Sequence, residues 1–164
     1  MDLRDLKSYE VLKERKSTFV NQIDSIYNLT RETINGISRC YDNYTMHDMD
    51  HGLRVAAYME YLAFGIDENF DKKIQNFNDL ELTLIILSAI LHDIGMFIRP
   101  EDESNIKANK IKYTDSLTYE GVLNVTESEE EAIKEIVRIT HAARIKEFID
   151  YDFGGQTISQ ILMI

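Results

Sequence analysis

Asn78-Asp79-Leu80-Glu81-Leu82-Thr83-Leu84-Ile85-Ile86-Leu87-Ser88-Ala89-Ile90-Leu91-His92-Asp93-Ile94-Gly95 is the most apolar stretch of the chain. Its hydrophobic residues run nearly all round a helical wheel, which implies a helix buried against several neighbours. Asn78 or Asp79 can cap its free N–H groups at one end, and Gly95 stops it at the other. It delivers an imidazole and a carboxylate side by side, His92 and Asp93, a ligand pair suited to a divalent metal. Glu81 and Thr83 interrupt the apolar run, and no run of about 18 apolar residues occurs anywhere, so a membrane span is not expected.

Outward from this helix the pattern stays helical. One proline and seven glycines in 164 residues leave few of the turn signals an all-β chain needs, and no stretch sustains period-two alternation. The fold class read from the sequence is all-α. Leu3, Leu6, Tyr9, Val11 and Leu12 mark a first short helix. Phe19, Ile23, Ile26, Tyr27, Ile34 and Ile37 continue at helical spacing toward Cys40. These N-terminal helices, residues 1–40, are expected to pack on a helical domain covering residues 41–164. Tyr41 to Met46 reads as a connector into a helix that starts near Asp48 or Asp50 and stops at Gly65.

Beyond Gly95, Pro100 reinforces the break, and Glu101 to Lys112 reads as a polar loop. A short helix is expected over Asp115 to Val122. Thr126 and Glu129 fit a capping box for a helix through Ile133, Ile136, Val137 and Ile139, ending close to His141, with a further helix over Ala142 to Ile149. Gly154-Gly155 reads as a hinge. The chain closes on Ile158, Ile161, Leu162, Met163 and Ile164, an apolar end that suggests a fragment of a longer protein. Either a partner copy, as in a homodimer, or an additional domain is expected to cover it.

Composition narrows the function classes. At 44% hydrophobic the chain is long enough for one domain with a core and too short for two ordinary ones. The single cysteine, Cys40, rules out an internal disulfide and a cysteine-based zinc cage, so any metal falls to His, Asp and Glu. The N-terminus lacks the basic start and apolar core of a signal peptide, and the expected compartment is the cytoplasm. With 29 acidic and 18 basic residues the net charge is −11, which disfavours broad binding of duplex nucleic acid. The acidic run Glu127 to Glu131 reads as a solvated helix face. A small phosphorylated substrate stays compatible with this charge, because a bound divalent ion dominates the local field of a pocket.

Four histidines are present. His47 and His51 flank the start of one helix, His92 ends a second, and His141 lies where two more meet in this reading. Helix ends that share one side of a bundle can converge their side chains on a cleft. Taken alone, each histidine also has a plain reading as a hydrogen-bonded core or surface residue.

The segments Tyr44-Thr45-Met46-His47-Asp48-Met49-Asp50-His51-Gly52-Leu53-Arg54-Val55 and Ala89-Ile90-Leu91-His92-Asp93-Ile94-Gly95-Met96 resemble the first two motifs of the HD-domain metal-dependent phosphohydrolases. The resemblance extends from Asp42 to Arg144. It implies an all-α bundle in which His51, His92 and Asp93 hold a divalent ion, with manganese, iron, nickel, zinc and magnesium all open. The segment Ile139-Thr140-His141-Ala142-Ala143-Arg144 is similar to the place where some HD domains supply a further histidine to a second ion, so one or two ions are implied. A packing role for His141 stays open beside that. By the same resemblance, where His141 joins with a second ion, Asp93 bridges the two and a bridging hydroxide is the attacking group, and a nucleotide or another phosphoester is the substrate. His47 lies close enough to His51 in sequence to reach the cleft and is read as a proton donor or outer partner, or as a loop histidine bonded to Asp50 or the backbone. Arg144, on the same helical side as His141, is read as a fork for phosphate oxygens or as a surface salt-bridge partner of Glu147 or a neighbouring acid. The family's closing Asp has no convincing counterpart, since Asp150 and Asp152 follow His141 closely. Either the closing Asp lies beyond Ile164 in a longer chain, or the site binds its metal incompletely or not at all, which leaves a second reading, a catalytically weak sensing or interaction domain of a larger protein.

Overall fold

The computed structural model describes residues 1–41, 46–65, 69–110, 117–126 and 128–163. All regular structure in them is helical: α1 (Lys7–Glu14), α2 (Phe19–Cys40), α3 (Met49–Phe64), α4 (Phe70–Ile74), α5 (Asp79–Leu91), α6 (Asp102–Lys107), α7 (Tyr119–Thr126), α8 (Glu129–Ile149) and α9 (Ile158–Leu162). Short 3-10 turns occupy Leu3–Asp5 and Ile94–Met96. The all-α reading stands, and the architecture is an HD-like helical bundle.

The apolar helix α5 lies at the centre. Asn78 caps it by accepting from the Glu81 amide at 3.0 Å while Glu81 reaches back to the Asn78 amide, the reciprocal box that fixes a helix start. Leu82, Ile86, Leu87, Ala89, Ile90 and Leu91 are buried. Helices α1, α2 and α3 all pack on α5. Helix α3 runs antiparallel to it: Gly52 near the start of α3 lies against Ala89 and Ile90, and Phe64 at its end stacks edge-on with Phe77, 4.8 Å between ring centres. The start of α3 and the end of α5 therefore meet at one end of the bundle. Helix α8 packs against the 3-10 turn at Ile94–Met96 and completes that end.

The structure corrects several element assignments. Residues 129–149 form one helix, so His141 sits in mid-helix and not at a junction. No glycine or proline interrupts that span, and Ala142 and Ala143 are strong helix formers. The cap of α8 is Ser128, which accepts from the Glu131 amide, whereas Thr126 ends α7 and donates to the Val122 carbonyl. Glu101 to Lys112 is not simply a loop, because Asp102–Lys107 forms α6, held by the buried Asp102 and Ile106. Helix α7 lies later than the expected span, and Asp115 falls outside the described residues. So does most of the connector from Tyr41 to Met46. Helix α4 was not expected. Its five residues are anchored by buried Ile74 and by Phe70 against Phe64.

At the C-terminal end, Gly154 and Gly155 have positive φ and carry the turn into α9. There Ile158 and Ile161 are buried within the chain itself, on α2 and α8, and Gln22 donates to the Ile161 carbonyl at 3.2 Å. No described helix is long and apolar enough to cross a membrane.

Candidate metal centre

Helix ends position the site. Asp48 precedes α3 and accepts from the His51 amide at 2.7 Å, which sets His51 in the first turn and His47 just before the cap. At the other end of the pair, α5 stops at Leu91, and His92 and Asp93 follow as the chain tightens into the 3-10 turn. Gly95 lets that turn press on α8, since a Cβ there would lie 2.0 Å from the His141 carbonyl oxygen. Gly52 does the same for α3 and α5, where a Cβ would stand 3.0 Å from the Ile90 Cα.

These approaches bring all four histidines to one carboxylate. Asp93, 6% exposed, is the hub. Its Oδ2 lies 2.7 Å from His47 Nδ1, 2.9 Å from His92 Nε2 and 3.6 Å from His51 Nε2, and its Oδ1 lies 3.8 Å from His141 Nε2. The rings of His51 and His92 are 5.2 Å apart and those of His47 and His51 5.5 Å. One ligand atom each from His47, His51 and Asp93 falls within 4.8 Å of the others, and His92 adds a further donor on the same oxygen.

The tautomers follow from the backbone. His92 Nδ1 lies 2.7 Å from the Ala89 carbonyl and His141 Nδ1 lies 2.6 Å from the Arg138 carbonyl. A carbonyl only accepts, so both Nδ1 atoms carry hydrogen and each Nε2 is turned to Asp93; His92 Nε2 carries hydrogen as well where it donates to the carboxylate at 2.9 Å, and it becomes a ligand atom on giving that proton up to a metal. Burial pushes the Asp93 carboxyl up, yet hydrogen bonds from His92 and His47 outweigh it and hold the group at about 2. The hydrogen bond to Asp93 raises His92 against the effect of burial, whereas burial lowers His51 despite the nearby Asp93 charge. A buried carboxylate ringed by imidazole nitrogens demands positive charge at its centre, and the donor set fits a divalent ion.

The residues named from sequence are thus placed as follows. His51, His92, Asp93 and His141 converge, and His47 joins them by a direct bond to Asp93. Arg144 does not present a fork to the cleft, and the phosphate-binding reading is corrected. Its side chain is 1% exposed and donates to the buried Asp102 carboxylate and, at 3.2 Å, to the Phe97 carbonyl. Its acidic partner is Asp102 and not Glu147. Asp150 accepts from Ser159 and Asp152 from the amides of Gly154 and Gly155, so both carboxylates are engaged away from the centre. Of the two caps the sequence offered for α3, Asp48 fills the role. The sequence reading missed the structural work of Gly52, for which a glycine immediately after His51 was the available signal.

An all-helical bundle whose helix ends gather histidines round a His-Asp pair defines an HD-type domain. Residues 41–162 match the family model described as HD-CE, and the chain belongs to the HD-CE family. Comparisons with curated proteins and with solved structures return no match.

Proposed function

We propose that this chain is a metal-dependent phosphohydrolase or phosphodiesterase whose substrate is a small phosphoester, foremost a nucleotide. The observation that carries this reading is the convergence of four imidazoles on Asp93. His51, His92 and Asp93 would hold the ion, with His141 available on the Oδ1 side of Asp93 for a second. A bound divalent ion supplies a water of lowered pKa and a Lewis acid for a phosphoryl oxygen. The chain's own groups do the rest. The carbonyls of Ala89 and Arg138 fix the ring orientation of His92 and His141, and the lowered pKa of Asp93 keeps it a carboxylate at neutral pH. With one carboxylate against a dication, the centre carries net positive charge in a protein of net charge −11, which draws a compact phosphate to this point and leaves polyanions repelled elsewhere.

The test is to strip the protein of metal, reload it with manganese, iron, nickel, zinc or magnesium in turn, and measure phosphate release from a panel of nucleotides and cyclic nucleotides. Turnover is expected, with a loss of at least about a hundredfold in His92→Ala and Asp93→Asn while the helical circular dichroism is kept. Rates equal to background for every reloaded form would remove the enzyme reading. A sensing domain is the second reading, favoured by Asp93 being the sole carboxylate in the described donor cluster. It predicts nucleotide binding by calorimetry without turnover.

A further inference from the structure

We infer that His47 joins His51, His92 and Asp93 as a metal ligand, and that the resulting nitrogen-rich centre selects a transition-metal ion and excludes magnesium and calcium. The inference rests on the proposed metal centre and concerns its composition. Its first support is position. His47 Nδ1 is the nitrogen nearest to Asp93 Oδ2, at 2.7 Å, closer than His92 at 2.9 Å or His51 at 3.6 Å. Its second is the engagement of the described aspartates that flank the histidines or follow them in sequence. Asp48 caps α3, Asp50 pairs with Arg54, Asp150 accepts from Ser159, and Asp152 closes the Gly154 turn. Among the described residues the donors at this point are three imidazoles around Asp93 Oδ2 and that carboxylate oxygen itself, with a fourth imidazole on Oδ1.

Donor chemistry then sets the ion. Magnesium and calcium are hard cations that take oxygen ligands, and magnesium dehydrates reluctantly. Imidazole nitrogen suits iron, cobalt, nickel and zinc, and affinity for such sites rises from manganese through iron and cobalt to nickel and copper before falling at zinc. An imidazole ligand also carries one negative charge fewer than a carboxylate, which weakens the hold on hard dications further and leaves the centre more positive toward an anionic ligand.

The experiment uses the full chain, stripped of metal, and reads binding instead of turnover. Calorimetry with cobalt and with magnesium should give cobalt affinity at least about a hundredfold above that for magnesium. In His47→Gln, cobalt affinity should fall by at least about tenfold, and zinc-edge X-ray absorption of the zinc-loaded variant should count one imidazole fewer than in the wild type. In His47→Asp the preference should move toward manganese and magnesium. Magnesium binding as tight as cobalt overturns the selectivity. An unchanged imidazole count in His47→Gln overturns the ligand role and makes His47 a partner of Asp93 only. If His92→Ala loses metal while His47→Gln keeps it, this inference fails and the proposed centre stands. If the selectivity holds without turnover on any phosphoester, the hydrolase reading fails and this inference stands.

Discussion

Gly95 donates no ligand, yet the convergence of the histidines depends on its missing side chain. A methyl group there would meet the His141 carbonyl oxygen at 2.0 Å and the carbonyl carbon at 2.9 Å. Both are backbone of α8, which cannot swing aside as a flexible side chain could. Helix α8 or the Ile94–Met96 turn has to move, and His141 moves with it relative to Asp93. Gly95→Ala should therefore cost about 1–3 kcal/mol or more, the range of overpacked sites, and weaken metal binding even in the fraction that folds. Urea unfolding monitored by circular dichroism checks the first effect, and calorimetric titration with cobalt checks the second. Stability and affinity both at wild-type level would show that the turn and α8 are not held in contact. His51, His92 and Asp93 were legible in sequence because adjacency and motif order carry them. The role of Gly95 was legible only as a helix stop, because the close approach of α8 is a tertiary fact. His47 illustrates the same limit, since its bond to Asp93 depends on how the chain enters the Asp48 cap.

Helix α1 shows how an element is completed by another. Leu6 stands at its N-cap and has no polar side chain to offer, so the first amides of the helix need an acceptor from elsewhere. Glu60 of α3, 4% exposed, supplies it: Oε1 accepts from the Ser8 amide at 2.7 Å and from the Ser8 hydroxyl, and Oε2 accepts from the Lys7 amide at 3.2 Å. This joins the accessory N-terminal helix to the helix that carries His51. Glu60→Ala leaves several buried donors unpaired and should destabilise the protein by about 3 kcal/mol, whereas Glu60→Gln retains one acceptor and should cost less. Chemical denaturation of the two variants distinguishes them, and equal, negligible losses would show that water replaces the carboxylate. Such a cap is invisible to sequence reading, which expects capping residues to be local. The same reason hid α6, whose six residues are held by Asp102 against Arg99 and Arg144 and not by their own propensity. By contrast α2, α3 and α5 were legible because each carries its own apolar period or local cap. The false break at His141 came from weighting a candidate ligand over an uninterrupted run of helix formers.

Across the whole molecule, net charge −11 is carried at the surface, while the interior behind the metal centre contains its own ionic cluster. Asp102 is fully buried between Arg99, 2.7 Å away, and Arg144, and Arg99 also reaches Glu147 of α8. The cluster fastens α6 and the segment after the Ile94–Met96 turn to α8, so it stabilises the frame on which His141 and Asp93 meet. Burial alone would raise the Asp102 carboxyl, but the hydrogen bond from Arg99 and the charge of Arg144 prevail and hold it below the ordinary value of 3.8. A folded-state pKa below the unfolded one means that the unfolded chain binds protons more readily as pH falls. The stabilisation is therefore complete at neutral pH, begins to be lost below about pH 5, and is lost progressively as pH falls through the depressed folded value. Other carboxylates, Asp93 among them, titrate in the same range, so the wild-type acid profile alone does not isolate Asp102. Asp102→Asn separates the contributions. At pH 7 it should cost about 3–5 kcal/mol, because two guanidinium groups lose their buried counter-charge. Between pH 5 and pH 3 its stability should fall less steeply than that of the wild type, because the group whose pKa shift contributes that slope is gone. Urea midpoints of both proteins at pH 7, 5, 4 and 3 give the two slopes, and parallel slopes would show that the Arg99–Asp102–Arg144 cluster does not set the acid limit of the fold.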